Sequence, residues 1–149
     1  MTCAQKHSMF DTTPLIVPIR ADQIDAIWQE AAPLIRLAQK RIERNAGMAD
    51  IYNDLIAERS MLWTVRIEDK LKAVIVTEIA KHPRRRVWRV LMIGGSGMSE
   101  WLDDSIDAMK RAARIEGCSA IEADGRLGWA KIAPKVGFKE ISRAYEMEI

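Results

Sequence analysis

Val87-Trp88-Arg89-Val90-Leu91-Met92-Ile93 runs straight into Gly94-Gly95-Ser96-Gly97, and an amphipathic pattern follows. The apolar run reads as a strand and the glycines as a tight loop. The residues beyond predict a capped helix beginning near Ser99. Strand, glycine loop and helix N-terminus in succession leave backbone N–H groups pointing at one place, which suits a phosphate. Ile93, Gly94, Gly95, Ser96, Gly97 and Met98 are therefore candidate ligand-binding residues.

Beyond the loop, Leu102, Ile106, Met109 and Ala113 fall on one helical face. Asp103 and Asp104 open that helix and Lys110, Arg111 and Arg114 close it, an order that complements the helix dipole. Gly117 stops it, and Ser119-Ala120-Ile121-Glu122-Ala123 reads as a strand. Strand, helix, strand implies a parallel neighbour reached by a right-handed crossover. A short helix from Leu127 to about Lys135 and a last strand from Phe138 to Met147 are expected after it.

Upstream, Leu62-Trp63-Thr64-Val65-Arg66-Ile67 and Leu71 to Ala80 flank Glu68-Asp69-Lys70, the pattern of an antiparallel hairpin. The turn Lys81 to Arg86 joins it to the Val87 strand, making a three-strand meander. Leu15-Ile16-Val17-Pro18-Ile19 reads as a first strand, with Pro18 favouring an edge. Asp22 is placed to cap a helix bearing Ile24, Ile27, Trp28 and Ala31, and Pro33 is expected to break or kink it. A second piece runs from Leu34 to Arg44, stopped by Asn45-Ala46-Gly47. A third helix fits Ala49 to Arg59, with Ile51, Leu55 and Ile56 inward. Residues 1–14 form a polar lead-in to a single domain over 15–149.

The chain has 149 residues, of which 48% are hydrophobic and 30% charged, enough to build one soluble core. Its 23 basic and 21 acidic residues nearly cancel, which argues against a general nucleic-acid coat but not against a local basic patch. Cys3 and Cys118 form no disulfide framework, and Cys118 reads as a small core residue. With only His7 and His82, the composition predicts no metal site. There is no leader-like or membrane-spanning apolar run, so a cytoplasmic location is expected.

The element order, together with Gly125-Arg126-Leu127-Gly128-Trp129 and Lys135-Val136-Gly137-Phe138, resembles the GNAT superfamily of N-acetyltransferases. The G-R-x-G-W variant is similar to small bacteriophage-encoded GNAT-like proteins. The resemblance implies an α/β fold with a mixed, mostly antiparallel sheet, helices on both faces and a splayed parallel strand pair. It also implies that acetyl-CoA or another acyl-CoA sits in the splay, its pyrophosphate held by the loop that opens the following helix. An amine would then be the acceptor.

Two positions depart from the family pattern. Leu91-Met92-Ile93 stands where a basic or amide residue precedes the glycines, and Ala133, beside Pro134, stands where a tyrosine often protonates the leaving thiolate. An inactive GNAT-like phage accessory or virion-associated protein is the alternative reading. It would bind partners, as a homo-oligomer or within a larger assembly.

Other residues carry two readings each. Glu78 and Glu122 are candidate general bases acting through water, or ordinary strand charges. Arg126 is a candidate phosphate ligand, or a salt-bridge partner of Asp124. Trp101 is placed to cover the loop, whereas Trp28, Trp63 and Trp129 read as core anchors. Arg84, Arg85 and Arg86, with Lys81, His82 and Arg89, make either a contact for nucleic acid or protein or a solvated hairpin tip.

Overall fold

The computed structural model describes residues 12–39, 46–125 and 127–149. Five strands form one sheet in the order β1 (Leu15–Ile19), β2 (Met61–Ile67), β3 (Lys70–Lys81), β4 (Arg86–Gly95) and β5 (Ala120–Ala123). The first three pairings are antiparallel and β4–β5 is parallel. Helices α1 (Ile24–Gln39) and α2 (Met48–Ile56) cover one face, and α3 (Leu102–Ile115) covers the other. Short 3-10 turns occupy Ala21–Gln23, Met98–Glu100, Leu127–Lys131 and Ala133–Val136.

Period-two alternation sorts the core into two halves. On β3, Val74 and Val76 pack beneath α1 and α2 with Ile24, Ile35, Leu55 and Leu62. Ala73 and Ile75 point the other way, joining Trp63, Trp88, Trp101 and Met109 beneath α3. Trp63 and Trp88 meet edge to face at 6.0 Å, and the Trp63 indole donates to the buried Thr77 hydroxyl at 3.1 Å. Trp28 and Trp129 pack at the margins of the two halves, and half-buried Cys118 lines the α3 side. The tight turn between β2 and β3 puts Glu68 and Asp69 at φ 51° and 65°, the twist that a two-residue hairpin requires.

Several expectations change. Pro33 lies inside an unbroken α1. It is exposed, so the backbone bond it forfeits faces water, while Ala31, Ile35 and Ala38 clamp the helix to the sheet on both sides of it. Residues 40–45, including part of the expected second piece, lie outside the described residues. Asp22 binds the Arg20 Nε at 3.2 Å instead of capping a helix. Ile56 is exposed because it ends α2. Ser99 falls within a 3-10 turn, and α3 starts at Leu102.

The largest difference concerns 138–147, which belongs to no strand among the described residues. Alternation supplies one face of a strand, but strand formation also needs a hydrogen-bonded neighbour, and β5 offers only four residues.

Arg66 ties β2 to α1 by a two-pronged contact with Glu30, at 2.8 and 2.9 Å. Hydrogen bonding to that guanidinium holds the Glu30 carboxyl below its usual range, aided by charge attraction and opposed by partial burial. A depressed folded-state pKa gives stability that is present above the unfolded carboxylate value and lost as pH falls through the folded one. Glu30→Gln is therefore expected to lower unfolding stability at pH 7 by about 1 kcal/mol at most, since Glu30 is half exposed. Urea titrations of both proteins should show that gap closing in acid. A gap unchanged well below pH 4 would contradict the assignment.

Candidate functional site

The register between β3 and β4 slips by one residue. Val76 faces Met92 and Thr77 faces Val90, which leaves Leu91 as an unopposed bulge on β4. On its other side β4 pairs with β5 over four residues only, from Val87 with Ala120 to Val90 with Ala123. The parallel ladder thus stops where the bulge begins. From Leu91 to Gly95 the edge of β4 turned away from β3 has no strand beside it among the described residues. This is the splay expected from the sequence.

The glycine loop closes the top of that wedge, and its glycines do different jobs. Gly94 is buried under α1, where an added Cβ would lie 2.1 Å from the Leu34 carbonyl oxygen. It permits helix and strand to touch. Gly97 sits at φ 69° and starts the 3-10 turn, in which Glu100 donates to the Gly97 carbonyl at 2.9 Å. Ser96 is held from both sides. Its N–H donates to the Lys72 carbonyl at 3.1 Å, and its own carbonyl accepts the Trp101 indole N–H at 2.8 Å.

Trp101, at 1% exposure, is itself a core residue, and it holds the loop through the Ser96 carbonyl from within the core instead of covering it. The N–H groups of Gly97, Met98 and Ser99 precede the first bond of the turn, and none of the three has an acceptor among the described residues. Of the predicted ligand-binding residues, Gly94 serves packing and the Ser96 amide is engaged, so the available donors begin at Gly97. Ile93 and Gly95 lie on the open stretch of β4. Arg126 lies outside the described residues.

Glu78 and Glu122 come together across three strands. The β3–β4 and β4–β5 registers place both directly beside Arg89, on the sheet face opposite Trp88 and Ile121. Arg89 contacts Glu78 at 3.5 Å and Asp124 at 3.6 Å, while Arg85 contacts Glu122 at 3.1 Å. This ladder lies five residues along β4 from Gly94, about 16 Å at strand rise.

The arginines predicted as a basic patch are thus largely engaged with acids, Arg86 reaching Glu116 at 3.9 Å. Arg84 makes no ion pair with a described residue. Sequence reasoning gave no sign of the Leu91 bulge or of the ladder. Only the unbroken apolar run Val90 to Ile93, where alternation should have continued, could have pointed to the bulge.

Tyr52 donates its hydroxyl to Asp25 and meets Trp28 edge to face at 5.0 Å, joining α2 to α1. That hydrogen bond raises the Tyr52 pKa, with smaller contributions from burial and the Asp25 charge. Among the described residues no group of three or more His, Cys, Asp or Glu could hold a metal, and no helix is long and apolar enough to cross a membrane.

A mixed five-strand sheet, helices on both faces and a parallel pair that parts at a β4 bulge define the GNAT acetyltransferase fold. No protein-family model and no curated protein sequence matches the chain. Solved structures do. A probable acetyltransferase aligns with TM-score 0.69 at 16% identity, over 91% of this chain and 97% of its own. The ribosomal-protein-alanine N-acetyltransferase of Brucella melitensis biovar Abortus 2308 aligns with TM-score 0.68 at 14% identity, over 91% and 99%. An aminoglycoside N-acetyltransferase solved in complex with CoA aligns with TM-score 0.63 at 13% identity, over 91% and 94%.

Proposed function

We propose that this protein transfers an acyl group from acyl-CoA to a primary amine. The observation that carries the proposal is the wedge: a strand edge left open from Leu91 to Gly95, ending at free amides on Gly97 and Met98. The residues fit such a ligand. The two amides, with Ser99, present donors to a pyrophosphate. The open edge of β4 between Ile93 and Gly95 offers main-chain groups to the amides of an extended pantetheine arm. The structural neighbour solved with CoA supports this choice of donor.

When bound, the thioester supplies the acyl group: a C–N bond forms as the C–S bond breaks, the amine loses a proton and the departing thiolate gains one. The pair Glu78 and Glu122, flanking Arg89, supplies carboxylates that attract a cationic amine and accept its proton through water. Ala133 and Pro134 donate no proton, so a thiolate, whose conjugate acid has a pKa of about 8.5, takes its proton from solvent.

Thermal unfolding with acetyl-CoA, with desulfo-CoA and with neither tests the wedge. At about a hundredfold excess over Kd, binding adds roughly 2.7 kcal/mol, which in a chain of this size raises Tm by about 5–10 °C. Both ligands should do so. No shift at millimolar acetyl-CoA would remove the proposal. Binding without CoA release across amines ranging from a peptide N-terminus to an aminosugar would remove the transfer step.

A further inference from the structure

The stretch of β4 that leads into the glycine loop carries no charge, since Leu91, Met92 and Ile93 are all apolar. A cation for a phosphate at the Gly97 and Met98 amides has to come from another element. The neighbouring strand β3 brings one. Its register with β2 slips near its start: Val65 faces Ala73 and Arg66 faces Leu71, so Lys72 has no partner across β2. Lys72 is thus a bulge residue. The packing shows the same slip, because Leu71 joins the core beneath α1 and Ala73 the core beneath α3. Residues two apart in a regular strand would share a face. A bulge re-aims the side chain it carries.

Contacts with β4 fix where this bulge lies. The Lys72 carbonyl accepts the Ser96 N–H at 3.1 Å, and a Cβ on Gly95 would stand 2.3 Å from the same carbonyl oxygen. The two backbones therefore touch. From there the Lys72 side chain reaches the loop, and its Cε lies 3.7 Å from the position a Cβ would take on Gly97. The ammonium is one bond farther on, in the neighbourhood of the first free amide.

Lys72 is half-buried and makes no ion pair with a described residue. One carboxylate shares the space: Glu100 Oε1 stands 2.8 Å from the same Cβ position on Gly97. Glu100 is exposed and is not paired with Lys72, so it is free to swing into water. An uncompensated ammonium beside unspent N–H donors makes a positive site that calls for an anion.

We propose that Lys72 is a phosphate-binding residue of the wedge, its ammonium pairing with the pyrophosphate of acyl-CoA while the Gly97 and Met98 amides donate to the same group. The inference rests on the acyl-CoA reading above and adds to it the charged partner that β4 lacks. Such a contact is a charge-assisted hydrogen bond, the stronger kind. Because backbone contacts already hold the bulge, little remains to be ordered when the phosphate arrives.

The test is calorimetric titration of acetyl-CoA into the wild type, Lys72→Met and Lys72→Arg at low and high salt. Both substitutions keep the main-chain carbonyl that holds Ser96, and circular dichroism and Tm should be unchanged. Lys72→Met should bind about tenfold more weakly at low salt. The gap should close at about 1 M salt, where exposed charges are screened. Lys72→Arg should restore most of the affinity, and Lys72→Gln repeats the loss with a second uncharged side chain. Equal affinity of the wild type and Lys72→Met at low salt overturns the assignment and leaves acyl-CoA binding standing. A deficit that persists unchanged at high salt, or that Lys72→Arg does not relieve, traces the loss to packing and overturns it as well. No binding to the wild type removes the acyl-CoA reading itself, before any variant is compared.

Discussion

Gly94→Ala is expected to cost about 3 kcal/mol or more and to lower Tm by roughly 10 °C. The new Cβ would sit 2.1 Å from the Leu34 carbonyl oxygen and 2.9 Å from its carbon. Both are backbone atoms of a helix clamped by Ile35 and Ala38, so no side-chain rotation relieves the clash. Either α1 lifts off the sheet or β4 sinks into it. Gly97→Ala is the comparison. Its Cβ meets only flexible side chains, the end of Glu100 at 2.8 Å and Lys72 Cε at 3.7 Å, and its positive φ costs an alanine about 1 kcal/mol. Scanning calorimetry of the two variants should show the deeper loss at Gly94. Equal losses would mean that the helix–strand contact yields more easily than its geometry implies.

Trp101 gives the second large effect, and it separates packing from positioning. Trp101→Ala empties a site at 1% exposure in the α3-side core and should cost about 3–5 kcal/mol. Trp101→Phe keeps most of the ring but deletes the donor to the Ser96 carbonyl, for about 1 kcal/mol. The Phe variant should nonetheless bind acetyl-CoA roughly tenfold more weakly, because the loop that presents the Gly97 and Met98 amides loses its anchor. Calorimetric titration measures this directly. Unchanged affinity in a folded Trp101→Phe protein would show that the Lys72 contact alone fixes the loop.

Much of the fold is legible in the residues because the signals are local. The Glu68-Asp69 turn lies between two apolar runs, Pro18 marks an edge strand, and Gly117 ends a helix whose charges already run acid to base. Trp101 could be placed for the same reason, being a few residues from the loop it holds. What escaped depends on partners distant in sequence. A bulge is a mismatch between two strands, so Leu91 reveals nothing until β3 lies beside it. The Glu78–Arg89–Asp124 ladder joins residues from β3, β4 and the loop just after β5, and each alone looks like a surface charge. Pro33 misled because breaking a helix is a statement about an isolated helix, and α1 is held by what lies beneath it. The glycine loop was located correctly and interpreted too uniformly, since Gly94 answers to helix packing and Gly97 to the turn.

The bulge at Leu91 also bears on how tightly the wedge can grip. In a sheet that zips along its whole length, a ligand inserting between two strands must first break their hydrogen bonds and then compete with their re-closure. Here β5 runs out at Ala123, just where β4 shifts register, so the two strands have no bonds above that point to break. The opening was accounted for when the chain folded. A guest entering it would have no strand pairing to break there, one of the costs of binding that preorganisation removes.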